Sequence, residues 1–415
     1  MATGGKYYDC TRCKGADLVC GRPFCPILLR VNSYSKTKKK IKENFQGSAP
    51  SVFVGRFGYP KINLGLLSPG EIVEDASLYD DPRRWAEEKF ELQKVVDIRT
   101  SLLNSRIKVG VKDQKDRFLQ MSQEAAMTIK PVDAEINLKK VPSFNVSFDS
   151  VGMPMGPSAR LKKAKLTSNP KVHTKVDKVV SDTDLKSGKA MEYLYKNEFD
   201  ENFLSRILSV GTLGVKKDRK LVPTRWAITA VDDSLAKHKI DEIKDFQSID
   251  EYQLFIGSNM GNIYFIMLFP DVWSHELFEI YLPKSAWNPS DKPKYCTDHE
   301  FYEGRKTYAE NCVGGYYAAR LPVLNYLKKI RKQATILSVR FETPEYWASL
   351  GVWVVREAAR RTMSAHPMTF ESKEKMLDFV SDICSKKFKY DLNPLFKESK
   401  LLDRMKNQFK LTKFV

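Results

Sequence analysis

This chain has too few acidic residues to balance its basic ones. Its 415 residues carry 51 Asp and Glu against 69 Lys and Arg, a net charge of +18 with a pI near 9.4. That imbalance argues for contact with a polyanion, because Lys and Arg release counterions when they settle on phosphates; a generally Lys-rich proteome is the competing reading. Long apolar runs are also missing. The longest, Ile263–Pro270, is far below the ~18 residues of a membrane span and reads as a buried strand. Met1–Asp9 is short, polar and unlike a secretory leader, so a cytoplasmic protein with reduced thiols is expected, with no membrane partner. Histidine is limited to five residues whose spacing suggests neither a triad nor a metal site. Neither G-x-S-x-G nor H-E-x-x-H occurs, nor the glycine patterns of a P-loop or a dinucleotide fold.

What is present is enough apolar material for a full core: 42% hydrophobic and 11% aromatic residues. The patterning predicts an α+β (mixed α/β) fold. Its expected parts are a zinc module with a basic connector (1–45), a mixed region (46–215), an α/β region (216–395) and a flexible tail (396–415). A helix is expected from Asp81 with Pro82 in its first turn, and others over Gln114–Met127, Asp184–Tyr195 and Asn202–Leu208. Two prolines and a glycine make Met153–Pro157 irregular. Asp232–Phe246 reads as a helix capped by its first residues. Tyr252–Ile256 and Ile263–Phe269 read as a hairpin with a longer loop, and Leu277–Leu282 as a third strand. Helices are expected at Tyr316–Lys332, Tyr346–Met363 and Glu371–Lys387, with a strand at Thr335–Phe341.

Four of the seven cysteines, Cys10, Cys13, Cys20 and Cys25, fall in the pattern C-x2-C-x6-C-x4-C. The first pair has the knuckle spacing by which two thiolates grip one metal. Four thiolates suit a closed, structural zinc site, and less often an iron–sulfur cluster. Cys296 and Cys312, which flank His299, and Cys384 read as ordinary buried thiols rather than a second metal site.

Residues 50–66, PSVFVGRFGYPKINLGL, place Gly55, Gly58 and Gly65 among bulky residues, with Arg56 and Lys61 between them. Backbone N–H groups in glycine turns, with a nearby cation, can hold a phosphate. Gly55, Arg56, Gly58 and Lys61 are therefore phosphate-binding candidates, and a plain tight hairpin is the alternative. Together with CTRCKGADLVCGRPFCP at the N-terminus and LVPTRWAITAVDD at 221–233, this segment resembles the archaeal Nre family of repair proteins. SVGTLG at 209–214 extends the resemblance over essentially the whole chain. The resemblance implies work on damaged DNA and association with the sliding clamp, proliferating cell nuclear antigen. It implies no agreed catalytic mechanism.

The last eight residues run from Gln408 to Val415 and fit the Q-x-x-h-x-x-a-x pattern of a clamp-interacting peptide. A 3₁₀ turn would place Leu411 and Phe414 on one side as anchors, with Gln408 hydrogen-bonding beside them. Val415 stands where the usual form has a second aromatic. Lys410 and Lys413 suit an acidic partner surface.

Arg225, Asp232 and Asp233 are the candidates for chemistry: an arginine for phosphate and two carboxylates for Mg²⁺ or Mn²⁺. The competing reading makes one aspartate a helix cap and Trp226 core. Gly314-Gly315 before a helix could receive an anion or be a plain loop. Three functions stay open: a DNA-binding repair protein recruited to the clamp, a metal-dependent nuclease or nucleotide-using enzyme, and an RNA-directed factor.

Overall fold

The computed structural model describes residues 24–38, 41–142 and 154–407, together with positions 13, 15, 18 and 20. Cys10 and the peptide Gln408–Val415 lie outside the described residues. The chain forms two compact units. Of the described residues, one holds those up to Leu235, with Ala348–Leu350; the other holds Ala236–Trp347 and those from Gly351 onward. The division falls inside the helix Thr224–Ile243.

The first unit is built on six strands: β1 (Asn44–Ala49), β2 (Ser51–Val54), β3 (Lys61–Ser68), β4 (Leu103–Gly110), β5 (Val132–Leu138) and β6 (Ser158–Leu166). Their order is β1-β5-β6-β4-β3-β2, antiparallel except where β6 meets β4. Apolar alternation along β5 buries Val132, Ala134, Ile136 and Leu138, which pack with Ile62, Leu64 and Leu66 of β3 and Leu119 and Ala126 of the helix Arg117–Met127. The single helix expected from Asp81 is two helices, Pro82–Glu87 and Leu92–Ser101, parted where Lys89 takes φ 54°. Residues 36–38, expected in a basic connector, close the helix Pro26–Lys38.

The second unit repeats the scheme with β7 (Tyr252–Asn259), β8 (Asn262–Phe269), β9 (Ser274–Tyr281), β10 (Lys294–Glu300), β11 (Thr335–Glu342) and β12 (Met368–Phe370). The order is β10-β9-β11-β8-β7-β12, with β9 and β11 parallel. The turn between β7 and β8 is shorter than expected. Only Met260 and Gly261 connect the strands, both at positive φ, as a two-residue hairpin requires. One sheet face is apolar: Phe265, Met267, Phe278, Leu337, Val339 and Phe341 pack on Met376, Val380 and Cys384 of the helix Lys373–Phe388. The other face carries buried polar groups, among them Asn262, His275, Glu279, Ser338, Arg340 and Glu342.

Three further expectations change. The helix predicted from Asp232 begins at Thr224, because Trp226 and Ala227 donate their N–H groups to the Pro223 carbonyl and start the first turn there. The helix predicted from Tyr346 begins at Trp353, after Gly351 at φ 98°. Residues 396–407, expected as tail, are largely helical: Asn393–Glu398 is followed by Lys400–Asn407. Buried Glu276 fastens that last helix by accepting from Ser399 Oγ (2.5 Å), Lys400 N (3.1 Å) and Leu401 N (3.2 Å). Among the described residues no helix is long and apolar enough to cross a membrane.

Candidate nucleic-acid interface

The glycine–arginine segment is the tip of the β2–β3 hairpin. Gly55 N–H donates to Asn63 O (2.8 Å) and Lys61 N–H to Gly58 O (2.9 Å), so both groups are committed to the hairpin rather than open to a phosphate. Gly58 sits at φ 85°, and a Cβ there would meet the Lys61 carbonyl at 2.9 Å, which explains the glycine. A cis peptide joins Tyr59 to Pro60. Arg56, Phe57, Tyr59 and Lys61 are exposed around the turn, and the Arg56 guanidinium lies 5.0 Å from the Phe57 ring centre.

A contact between residues 170 positions apart completes the surface. Val54 N–H donates to Thr224 Oγ1 at 2.9 Å, and that hydroxyl lies 3.2 Å from Ser209 Oγ. The first turn of the helix Thr224–Ile243 is thereby latched to the end of β2. Arg225 and Trp226 emerge beside the hairpin tip, where Tyr59 and Trp226 pack with ring centres 5.7 Å apart and planes tilted 47°. Val111 N–H donates to Pro60 O (3.0 Å), and Leu221 N–H to Val111 O (2.8 Å), so exposed Lys112, Asp113 and Lys220 border the same region. None of Arg56, Lys61, Lys112, Lys220 and Arg225 forms an ion pair with a described residue.

The three aromatics are unusually exposed. Phe57 is 77% accessible, the highest among the described large hydrophobics, with Tyr59 at 45% and Trp226 at 47%. Trp226 is thus surface rather than the expected core. Asp232 and Asp233 are interior positions of a helix rather than caps, and Asp232 is fully buried two turns beyond Arg225. The structure gathers Arg56, Lys61 and Arg225 on one surface and leaves Asp232 out of it. Phe57 and Tyr59 were not singled out by the sequence reading, although aromatics between cations were the available signal.

At the N-terminus, Cys13, Cys20 and Cys25 are described and Cys10 is not. A Cβ on Gly15 would lie 3.1 Å from the Cys25 Cβ, so the turn after Cys13 closes on Cys25. Among the described residues the Cys13, Cys20 and Cys25 sulfurs do not form a group of three within ligating reach of one another.

A second constellation lies on the polar face of the other sheet. Among the described residues the one group of three ligating side chains is Glu279, Cys296 and Cys312. The two sulfurs are 3.2 Å apart, and His299 is not part of the group. Glu279 Oε1 accepts from Arg340 Nη1 at 2.5 Å, and Oε2 accepts from Tyr281 OH at 2.9 Å. The hydrogen bond to Cys296, aided by burial, pushes the Cys312 thiol far above its ordinary range and holds it protonated. With Glu279 engaged by Arg340, the cluster is a satisfied buried network. The glycine pair that opens the helix Gly314–Ile330 serves that network. A Cβ on Gly315 would sit 2.6 Å from Glu279 Oε1, and the nearby Asn311 and Cys312 N–H groups already donate to Asp298 Oδ2 at 3.0 and 2.7 Å.

Comparison with known proteins agrees with these blocks. Residues 19–288 match the family described as "Archaeal Nre, N-terminal" and residues 300–414 the one described as "Archaeal Nre, C-terminal". The chain is 38% identical to the DNA repair protein NreB of Archaeoglobus fulgidus over 373 residues, covering 90% of this chain and 92% of that protein. It is 40% identical to the DNA repair protein NreA of the same organism, covering 90% and 93% of the two chains. It is also 40% identical to NreA of Haloferax volcanii, covering 76% and 77%. No solved structure matches it. The chain therefore belongs to the archaeal Nre family.

Proposed function

We propose that this protein is a DNA-repair factor that binds DNA and is recruited to the sliding clamp through Gln408, Leu411, Phe414 and Val415. The observation that carries the reading is near full-length similarity, at 38–40% identity, to proteins named for DNA repair. The surface around Arg56, Lys61 and Arg225 supports the DNA contact, since five cations that form no ion pair with a described residue border one exposed face. In this reading Cys10, Cys13, Cys20 and Cys25 hold one zinc ion, a closed site that fixes the N-terminal segment and leaves no position for substrate.

Two measurements test it. Binding and cleavage are followed on single-stranded, duplex, forked and nicked DNA, with and without Mg²⁺ or Mn²⁺. Binding that weakens steeply with salt is expected; a flat salt response removes DNA contact from the reading. Metal-dependent cleavage that disappears in Asp232→Ala would make the protein a nuclease instead. Calorimetry against the clamp is expected to lose its signal in Leu411→Ala with Phe414→Ala. Unchanged affinity removes the peptide from the reading.

A further inference from the structure

Three aromatic rings on one surface, bordered by cations that form no ion pair with a described residue, are costly to leave in water. Phe57, Tyr59 and Trp226 have no packing task that requires such exposure. The helix start is already held by Thr224, and the hairpin by its backbone bonds. Tyr59 and Trp226 lean on each other at 47° instead of closing face to face, so ring area stays outward. Arg56 lies over Phe57 and Arg225 precedes Trp226, which places a cation beside two of the three rings.

Bases inside a duplex already stack on each other and offer a side chain only their edges. Unpaired bases offer their faces, and a stack of base on aromatic ring is sequence-tolerant because every base has one. We infer that the surface formed by Phe57, Tyr59, Trp226, Arg56 and Arg225 is a stacking platform for single-stranded DNA. The rings take the bases of an unpaired segment, while Arg56, Lys61, Lys112, Lys220 and Arg225 take its phosphates. This inference rests on the DNA-binding reading above and names the form of DNA that the site selects.

Fluorescence anisotropy with the full-length protein tests it. The probes are a fluorescein-labelled oligothymidylate, a blunt duplex of equal length and an oligouridylate, all at one salt concentration. The wild type is expected to bind the oligothymidylate most tightly. Phe57→Ala with Trp226→Ala is expected to lose about tenfold or more of that affinity and to leave duplex binding nearly unchanged. Trp226→Phe should recover most of it, and Arg56→Gln with Arg225→Gln should weaken both DNA forms together. The replaced side chains are exposed, so unchanged circular dichroism and melting temperature are expected of all the variants. Equal losses on single strand and duplex, or no loss on either, overturn the platform while leaving DNA binding intact. Tighter binding to the oligouridylate overturns DNA as its ligand. A wild type that binds no DNA at all overturns the underlying reading as well.

Discussion

His275 lies on the polar face of the second sheet, fully buried between Trp273 and Tyr316, with Nε2 3.3 Å from Ser338 Oγ. The charge of Arg320 acts on it, and Glu300, which stands opposite His275 in the β9–β10 register, holds Arg320 through both carboxylate oxygens. Burial, reinforced by the positive charge of Arg320, pushes the imidazole from its ordinary 6.5 down to about 3. In the unfolded chain it takes a proton near 6.5, whereas the folded chain refuses one until about 3. The neutral imidazole therefore contributes stability in full above 6.5, and that contribution is lost as pH falls toward 3. Going from about pH 7.5 to about pH 5, the unfolded state gains about 2 kcal/mol from this group alone. Denaturant unfolding at the two pH values, on wild type and His275→Gln, isolates the term. Wild type should lose about 2 kcal/mol more than the variant on acidification, whatever the absolute stability of each. Parallel losses would refute the reasoning and mean that the folded protein accommodates the imidazolium.

Three other perturbations follow from the same sheet and from the cysteine segment. Glu276→Ala removes the acceptor that caps the helix Lys400–Asn407 and should cost about 2–3 kcal/mol, with faster amide exchange confined to residues 400–407; protection unchanged there would contradict the capping role. Gly315→Ala brings a Cβ to 2.6 Å from a Glu279 oxygen held by Arg340. It should lower stability by about 1–3 kcal/mol despite the better helix propensity of alanine, so a raised melting temperature would show that the helix and sheet can part. Purified protein should contain about one zinc per chain by elemental analysis, falling toward zero in Cys13→Ser with Cys25→Ser; an iron–sulfur absorbance instead would change the metal.

The strands that were legible are those with apolar or aromatic runs. Ile263–Phe269 and Thr335–Phe341 were placed to within a residue or so, and the Ser274–Tyr281 strand was found at its apolar end. Hydrophobic patterning missed β4 (LNSRIKVG) and β10 (KYCTDHE), because half their pattern is polar. In β10 that polarity is internal, with Asp298 taking N–H groups from the following loop and Glu300 taking Arg320. The site was legible as separate pieces. Arg56, Lys61 and Arg225 could be named from local composition, but their meeting depends on the Val54–Thr224 hydrogen bond across 170 residues. The reading that made Trp226 core fails on a related point. An isolated tryptophan in an apolar block suggests core, and only the start of its helix at Thr224 turns it outward. The glycine pair at 314–315 looked like an anion loop, whereas the need for glycine at 315 comes from a carboxylate on another strand.

The fastening of the helix Lys400–Asn407 by Glu276 also determines a length. Phe414 is seven residue steps beyond Asn407, which fully stretched span at most roughly 25 Å. A partner gripping Phe414 would thus be leashed within that radius of Asn407. On so short a leash a second, weak contact between the partner, or DNA threaded through it, and this unit would act at an effective concentration on the order of millimolar. Were the helix to peel from Glu276, the leash would lengthen and that local concentration would fall, although neither binding surface had changed.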